Sequence, residues 1–267
     1  MTTVVEKGLV VDGLRKRYGD HLAVDGVSFA LPAGGSLAIV GESGSGKTTT
    51  VRMLVGLERA DGGTVRLDGK DRSARPRNRA ERLARARDVQ MVFQDPYLSL
   101  DPRISVSGCL DEVLRLHTSL DAAARRARVA DLLDRVGLGS REAAALPRGL
   151  SGGQRQRVAI ARALAVEPRV LVLDEAVAAL DVSIQAQILD LLREIRREAG
   201  IGYLFVTHDL AVVRHVADDV LVLKSGQVVE SGPVDRVLGA PEHPYTRLLL
   251  NSVPRRGWDP AAVTDRV

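Results

Sequence analysis

Three stretches hold residue types that could do chemistry, and each would work on phosphate or on water. "GESGSGKT" at 41–48 places Gly41, Gly44 and Gly46 around Glu42, Ser43 and Ser45, so the main chain can wrap closely around an anion. Lys47 adds a point charge, Thr48 offers a hydroxyl to a divalent cation, and Thr49 continues the cradle. "VLVLDE" at 170–175 is an apolar run ending in two carboxylates. Asp174 there suits a cation held through water, and Glu175 suits polarising a water that attacks phosphorus. "LSGGQ" at 150–154 repeats part of the first pattern. Ser151, Gly152 and Gly153 can turn backbone N–H groups toward an anion, followed by Gln154, yet the stretch has no lysine. It is half a cradle.

These side chains need rigid elements behind them. Leu37–Val40 reads as a strand feeding the 41–48 loop into a helix, the context that a phosphate loop requires. Leu9–Val11 and Val24–Leu31, separated by turn residues, read as further short strands. "RVLVLDE" and "GYLFVTHD" read as buried strands. Between them Ile184, Ile188, Leu191, Leu192 and Ile195 line one helix face. "DDVLVLKSGQVVESG" reads as a hairpin around Ser225–Gly226. Residues 105–165 turn helical, with Asp121 as an N-cap and Gly137 where a C-terminal cap belongs. Strands alternating with helices indicate an α/β core, into which this helical stretch is inserted. In such a sheet Gln94, after "VQMVF", and His208, after "YLFVT", fall at the strand ends that face the phosphates. Gln94 would ligate magnesium or sense the terminal phosphate, and His208 would hydrogen-bond it.

Composition narrows the class. Aromatics are 3% of the 267 residues, too few for the stacking platforms of single-strand binding. Cys109 is the only cysteine, which excludes an intrachain disulfide and a cysteine-ligated metal cluster. No run approaches the roughly 18 apolar residues of a membrane span, and the first ten residues lack a secretory core. The seven arginines of 72–88 read as a solvated surface. Trp258 reads as a surface residue.

The phosphate loop, "LSGGQ", "LVLDE" and "TH" at 207–208 occur in the order and kind that resemble ABC-type ATPases, over roughly residues 8–250. The pentapeptide is the most specific element of that resemblance. It implies a P-loop core of mainly parallel sheet with an antiparallel β subdomain and an inserted helical subdomain. One nucleotide-binding domain would occupy 1–250, its signature subdomain about 105–165, followed by a flexible tail at 251–267. It also implies ATP and Mg²⁺, with Thr48, Gln94 and Asp174 toward the metal and Lys47, Gln94, Glu175 and His208 as the catalytic set. Tyr18 matches the aromatic that stacks on adenine. Ser151–Gln154 would close over ATP held by a second ATPase subunit, identical or related, packed head to tail. Asp181 matches the loop linking the two sites, although Ala178 stands where the family usually has Ser.

"VFQDPYLSLDPR" at 92–103 and "GAPEHPYTRLLLNSVP" at 239–254 are similar to the oligopeptide, dipeptide and nickel import branch, with Asp101 in place of the commoner Asn. That branch implies an ATPase on the cytoplasmic face of the cell membrane. It would drive two transmembrane permease subunits and, through them, an extracytoplasmic solute-binding protein, with no nucleic acid partner. Within the branch's reach lies one alternative, the ABC-type subunit of a soluble carbon–phosphorus lyase complex. A DNA-repair or translation ATPase is disfavoured by the single phosphate loop and the absence of a sustained heptad run.

Overall fold

A computed structural model describes residues 7–252; the tail at 253–267, Trp258 included, lies outside the described residues. The chain opens with β1 (Gly8–Tyr18), β2 (His21–Pro32) and β3 (Ser36–Val40), then α1 (Lys47–Leu54), β4 (Gly62–Leu67) and β5 (Lys70–Asp71). Next come α2 (Arg79–Asp88) and β6 (Val89–Val92), followed by a helical block. That block holds α3 (Val106–His117), α4 (Ala122–Arg135), α5 (Ser140–Ala144) and α6 (Gly152–Leu164). The chain returns to alternation with β7 (Val170–Asp174), α7 (Val182–Ala199), β8 (Gly202–Val206) and α8 (Leu210–Val216). It closes with β9 (Asp219–Lys224), β10 (Gln227–Pro233), α9 (Val234–Gly239) and α10 (Pro244–Asn251).

The main sheet has the order β10-β9-β3-β8-β7-β6, parallel except for β10. All residues of β3, β7 and β8 are buried, which is why those segments read as continuous apolar runs rather than alternating ones. The two-residue side-chain period then sorts them between two cores. Ala38, Val40, Leu171, Leu173, Tyr203 and Phe205 meet the helices on one face. Leu37, Ile39, Val170, Val172, Leu204 and Val206 meet α1 and the second sheet on the other. That second sheet, β2-β1-β4-β5, is antiparallel. The α/β class, with its antiparallel sheet and inserted helices, is as the sequence implied.

Some boundaries differ from the sequence reading. β1 runs eleven residues, not three, because antiparallel pairing with β2 carries it, through bulges, past the solvent-facing Arg15–Arg17. β6 ends at Val92, two residues before Gln94, so Gln94 sits in the loop beyond the strand. Helix α10 runs to Asn251, the first residue of the expected 251–267 tail. Asp121 does cap α4, accepting from Ala124 N at 2.8 Å, and Gly137 follows with φ +68°. The arginine-rich stretch forms α2, which buries no residue; Asn78 caps it, and Arg72–Asp88 and Arg85–Glu81 pair across its surface.

Helices α6 and α7 pack unusually closely where α6 begins. A Cβ on Gly153 would lie 2.6 Å from Ile184 Cγ2, a stiff β-branched methyl rather than a flexible tip. Gly153→Ala is therefore expected to cost about 1 kcal/mol, overpacking outweighing the small helix-propensity gain. Urea unfolding of Gly153→Ala with and without Ile184→Ala tests this: the cost should vanish in the Ile184→Ala background, and an equal cost in both would refute the contact.

Candidate functional site

Strand β3 delivers the chain at Val40 into the 41–48 loop, and Lys47 is the first residue of α1. Gly46 caps that helix in a left-handed conformation, with no side-chain cap and no acidic residue in the first turn. The helix therefore presents its free N–H groups and partial positive charge to whatever fills the loop. Lys47 is 6% exposed, and its Nζ donates to the carbonyls of Gly41 and Glu42, both at 2.7 Å. Burial pushes its ammonium below the usual lysine range, against the pull of Glu175, Asp174 and Glu42. Ser45 is also buried, and its hydroxyl has no protein partner. A loop with an inturned, buried cation and an unsatisfied buried hydroxyl suits a polyanion.

The opposite wall comes from β7 and β8. Their register pairs Asp174 with Val206, which also pairs with Ile39 of β3, so three strands stop at one level. Asp174 is 8% exposed; one carboxylate oxygen interacts with the Thr48 side chain, while Oδ1 has no partner. Burial, then the neighbouring Glu175, pushes the Asp174 carboxyl above the usual range, and Arg52, Lys47 and Thr48 oppose that. Glu175 holds a left-handed backbone, φ +47°, a strained state that turns its side chain out of the strand's own direction. Gln94 Nε2 donates to Glu175 Oε2 at 3.0 Å, and His208 Nδ1 lies 3.2 Å from Oε1. Both residues that the sequence aimed at phosphate thus converge on one carboxylate.

A cleft of 680 Å³ joins these parts. Ser43, Gly44, Gly46, Lys47, Thr48 and Thr49 form its floor, and Glu175 and His208 its far side. Tyr18, 44% exposed with Lys16 Nζ 5.1 Å above its ring, stands at the mouth beside His21. The sequence reading missed His21 and Arg52. His21 had only its nearness to Tyr18 as a signal, and Arg52 lies one helical turn beyond Thr48 on α1.

The 151–154 segment lies elsewhere: none of its residues lines this cleft. Ser151 and Gln154 form a reciprocal capping box on α6. The serine hydroxyl accepts from Gln154 N at 3.3 Å, and Gln154 Oε1 accepts from Ser151 N at 2.9 Å. Asp181 precedes α7 with an exposed side chain that makes no capping bond.

Cation chemistry fits the residues present. Among the described residues no group of three or more His, Cys, Asp or Glu could cage a metal. Thr48 and Asp174, whose side chains meet and of which Asp174 Oδ1 is left without a protein partner, instead offer a sparse pair of oxygens. They suit a magnesium ion that takes its other ligands from phosphate and water. The contact seen for Gln94 is with Glu175. Cys109 is buried, and burial raises its thiol, so it belongs to the core.

The raised Asp174 carboxyl has a stability consequence. The folded chain holds that proton more tightly than the unfolded one, so stability is lost as pH rises from the ordinary carboxylate value through the raised one. At pH 7.5 and without nucleotide, Asp174→Asn should melt above wild type by differential scanning calorimetry. A lower melting temperature would refute the burial argument.

Comparison with known proteins follows the same outline. The ABC transporter family model matches residues 24–178, and the model of the oligopeptide/dipeptide transporter C-terminal region matches 229–262. The di/tripeptide transport ATP-binding protein DppF of Pseudomonas aeruginosa is 45% identical over 96% of this chain and 78% of its own length. The oligopeptide transport ATP-binding protein OppD of Mycobacterium tuberculosis is 48% identical over 96% of this chain, which spans 40% of it. Among solved structures, the ATP-binding cassette MJ0796, a dimer in a post-hydrolysis state bound to ADP and Pi, superposes with a TM-score of 0.75 at 29% identity. That match covers 85% of this chain and 98% of the cassette. With loop, paired carboxylates, capped Ser-Gly-Gly helix and histidine in these places, the chain belongs to the ABC transporter family and is one of its ATP-hydrolysing, nucleotide-binding domains.

Proposed function

We propose that the chain powers import of peptides or a related small solute, nickel included, through an ABC permease, by ATP-driven head-to-tail pairing of two such subunits. One observation carries this reading. The cleft holds Lys47, Thr48 and a buttressed Glu175, with the buried Asp174 behind Thr48, while the capped Ser151–Gln154 helix start lies outside it. Each chain therefore offers a full cradle to one nucleotide and half a cradle to another, and two chains complete two sites.

In the site, Lys47 and the N–H groups of α1 bind the β- and γ-phosphates, and Tyr18 stacks on the base. Thr48, Asp174 (through water) and Gln94 would hold Mg²⁺, which neutralises phosphate charge when bound. Glu175 takes the proton of the attacking water, and its orientation is set from two sides by Gln94 and His208. Breakage of the β–γ bond leaves ADP and phosphate, removing the contacts by which the γ-phosphate stabilises the closed pair. Asp181 links the two sites across the interface.

The segment from Gln94 to about Ile104 would receive a short helix from a membrane subunit. The 690 Å³ cleft between α3, α4 and α5 begins just beyond it, lined by apolar Val129, Leu133 and Leu138 together with Asp111, Arg126 and Asp134. Among the described residues, none of 94–104 lines that cleft. The described residues contain no helix long and apolar enough to cross a membrane, so passage would be the permeases' task, from a cytoplasmic-face partner. An extracytoplasmic binding protein would supply the cargo. The names of the relatives favour this over a soluble lyase subunit.

Glu175→Gln should still bind ATP, lose about 10²–10⁴-fold in hydrolysis, and accumulate as an ATP-dependent dimer in light scattering. Wild-type turnover in that variant would remove Glu175 as the base. Purification of the tagged chain from its own cells in mild detergent should bring two multi-span proteins with it; a soluble enzyme core alone would overturn the transport reading.

A further inference from the structure

The phosphate loop is gripped from its outer side by the end of the chain. Tyr245, on the first turn of α10, is 4% exposed, and its hydroxyl accepts from Glu42 N at 3.0 Å across 203 residues of sequence. That N–H belongs to the same planar peptide as the Gly41 carbonyl, which accepts from Lys47 Nζ at 2.7 Å. The two bonds hold opposite edges of one rigid plate. If the plate rotates, the carbonyl that anchors the lysine moves with it.

The tyrosine itself is firmly placed. Glu230 of β10 accepts from the backbone N of Glu242 and of His243, at 2.9 and 3.1 Å, and the His243 ring accepts from Tyr245 N. Lys224 Nζ sits 4.9 Å from the centre of the Tyr245 ring. The β9–β10 hairpin braces the loop from the other flank, with Gly226 N donating to Ser45 O at 3.0 Å. At Gly41 the loop passes so close to β9 that a Cβ would lie 2.2 Å from Leu223 O.

We propose that Tyr245 is a positioning residue for the phosphate cradle, fixing the Gly41–Glu42 peptide plane and, through it, the resting place of the Lys47 ammonium. The hydroxyl contributes the one part-buried hydrogen bond to Glu42 N, about 1 kcal/mol of stability. What water in its place would not supply is a fixed direction. The C-terminal segment thereby acts on the nucleotide site without touching nucleotide. This rests on Lys47 being the phosphate-binding lysine, as proposed above.

The test measures binding of ATP and of ADP, with Mg²⁺, by calorimetry on the full chain, with melting temperature alongside. Tyr245→Phe removes the hydroxyl and keeps the ring, Leu250→Ala loosens the same helix and keeps the hydroxyl, and Lys47→Ala is the control. Tyr245→Phe should weaken both nucleotides about three- to tenfold, the size of one lost hydrogen bond, with a melting temperature only about 2–4 °C lower and well above that of Leu250→Ala. Leu250→Ala should melt lower with wild-type affinity. Wild-type affinity in Tyr245→Phe, with binding lost in Lys47→Ala, would overturn the role of Tyr245 and leave the cradle standing. Loss of affinity in step with loss of stability in both α10 variants would make Tyr245 a packing residue only, and overturn it too. Wild-type binding in Lys47→Ala would instead fail the cradle reading itself.

Discussion

Parallel pairing among β6, β7, β8 and β3 decides where four strands stop, and the chemically useful side chains of the cleft hang from those stops. Register matters more than any side-chain contact here. Shifting one strand by a residue would send Asp174 to the other face of the sheet and exchange the two cores along that strand. The apolar residues of β3, β7 and β8, buried on both faces, hold that register. Side-chain volumes on both faces, rather than an alternation of apolar and polar residues, must then set that alignment.

Above this edge the chain keeps charges where water is scarce. Burial acts on Lys47 and Asp174 in opposite directions, disfavouring the charged form of each, and Ser45 Oγ and Asp174 Oδ1 go without protein partners. Such groups cost stability in the empty chain, and a phosphate with its cation would satisfy them together. The strained backbone of Glu175 belongs to the same pattern: local rules are broken where the ligand is to be.

Much of this was legible in the sequence. Buried parallel strands announce themselves as apolar runs, and a phosphate loop needs small residues at set spacing, so the α/β class and most of the residues that line the cleft could be named from one chain, His21 and Ala23 excepted. Boundaries were less legible. The length of β1 depends on its partner β2, and no local pattern in Arg15–Arg17 records that pairing. The meeting of Gln94 and His208 on Glu175 was hidden for a similar reason, since it is made by three strands and fixed only when the sheet assembles. Tyr245 was visible as part of a recognisable segment, but nothing in its surroundings pointed to a peptide two hundred residues away.

Ser151 engages only part of its hydroxyl in the capping box. Its hydroxyl oxygen already accepts from Gln154 N, so the hydroxyl hydrogen is still available to donate, and the glutamine holds the serine backbone from behind. The helix start is thus ordered before any phosphate arrives. Closing it over a neighbour's nucleotide would freeze little additional motion, so recognition there would resemble the docking of two finished surfaces more than a folding event. The entropy was spent when the chain folded, and little of it would be charged again on the proposed closure over a second chain.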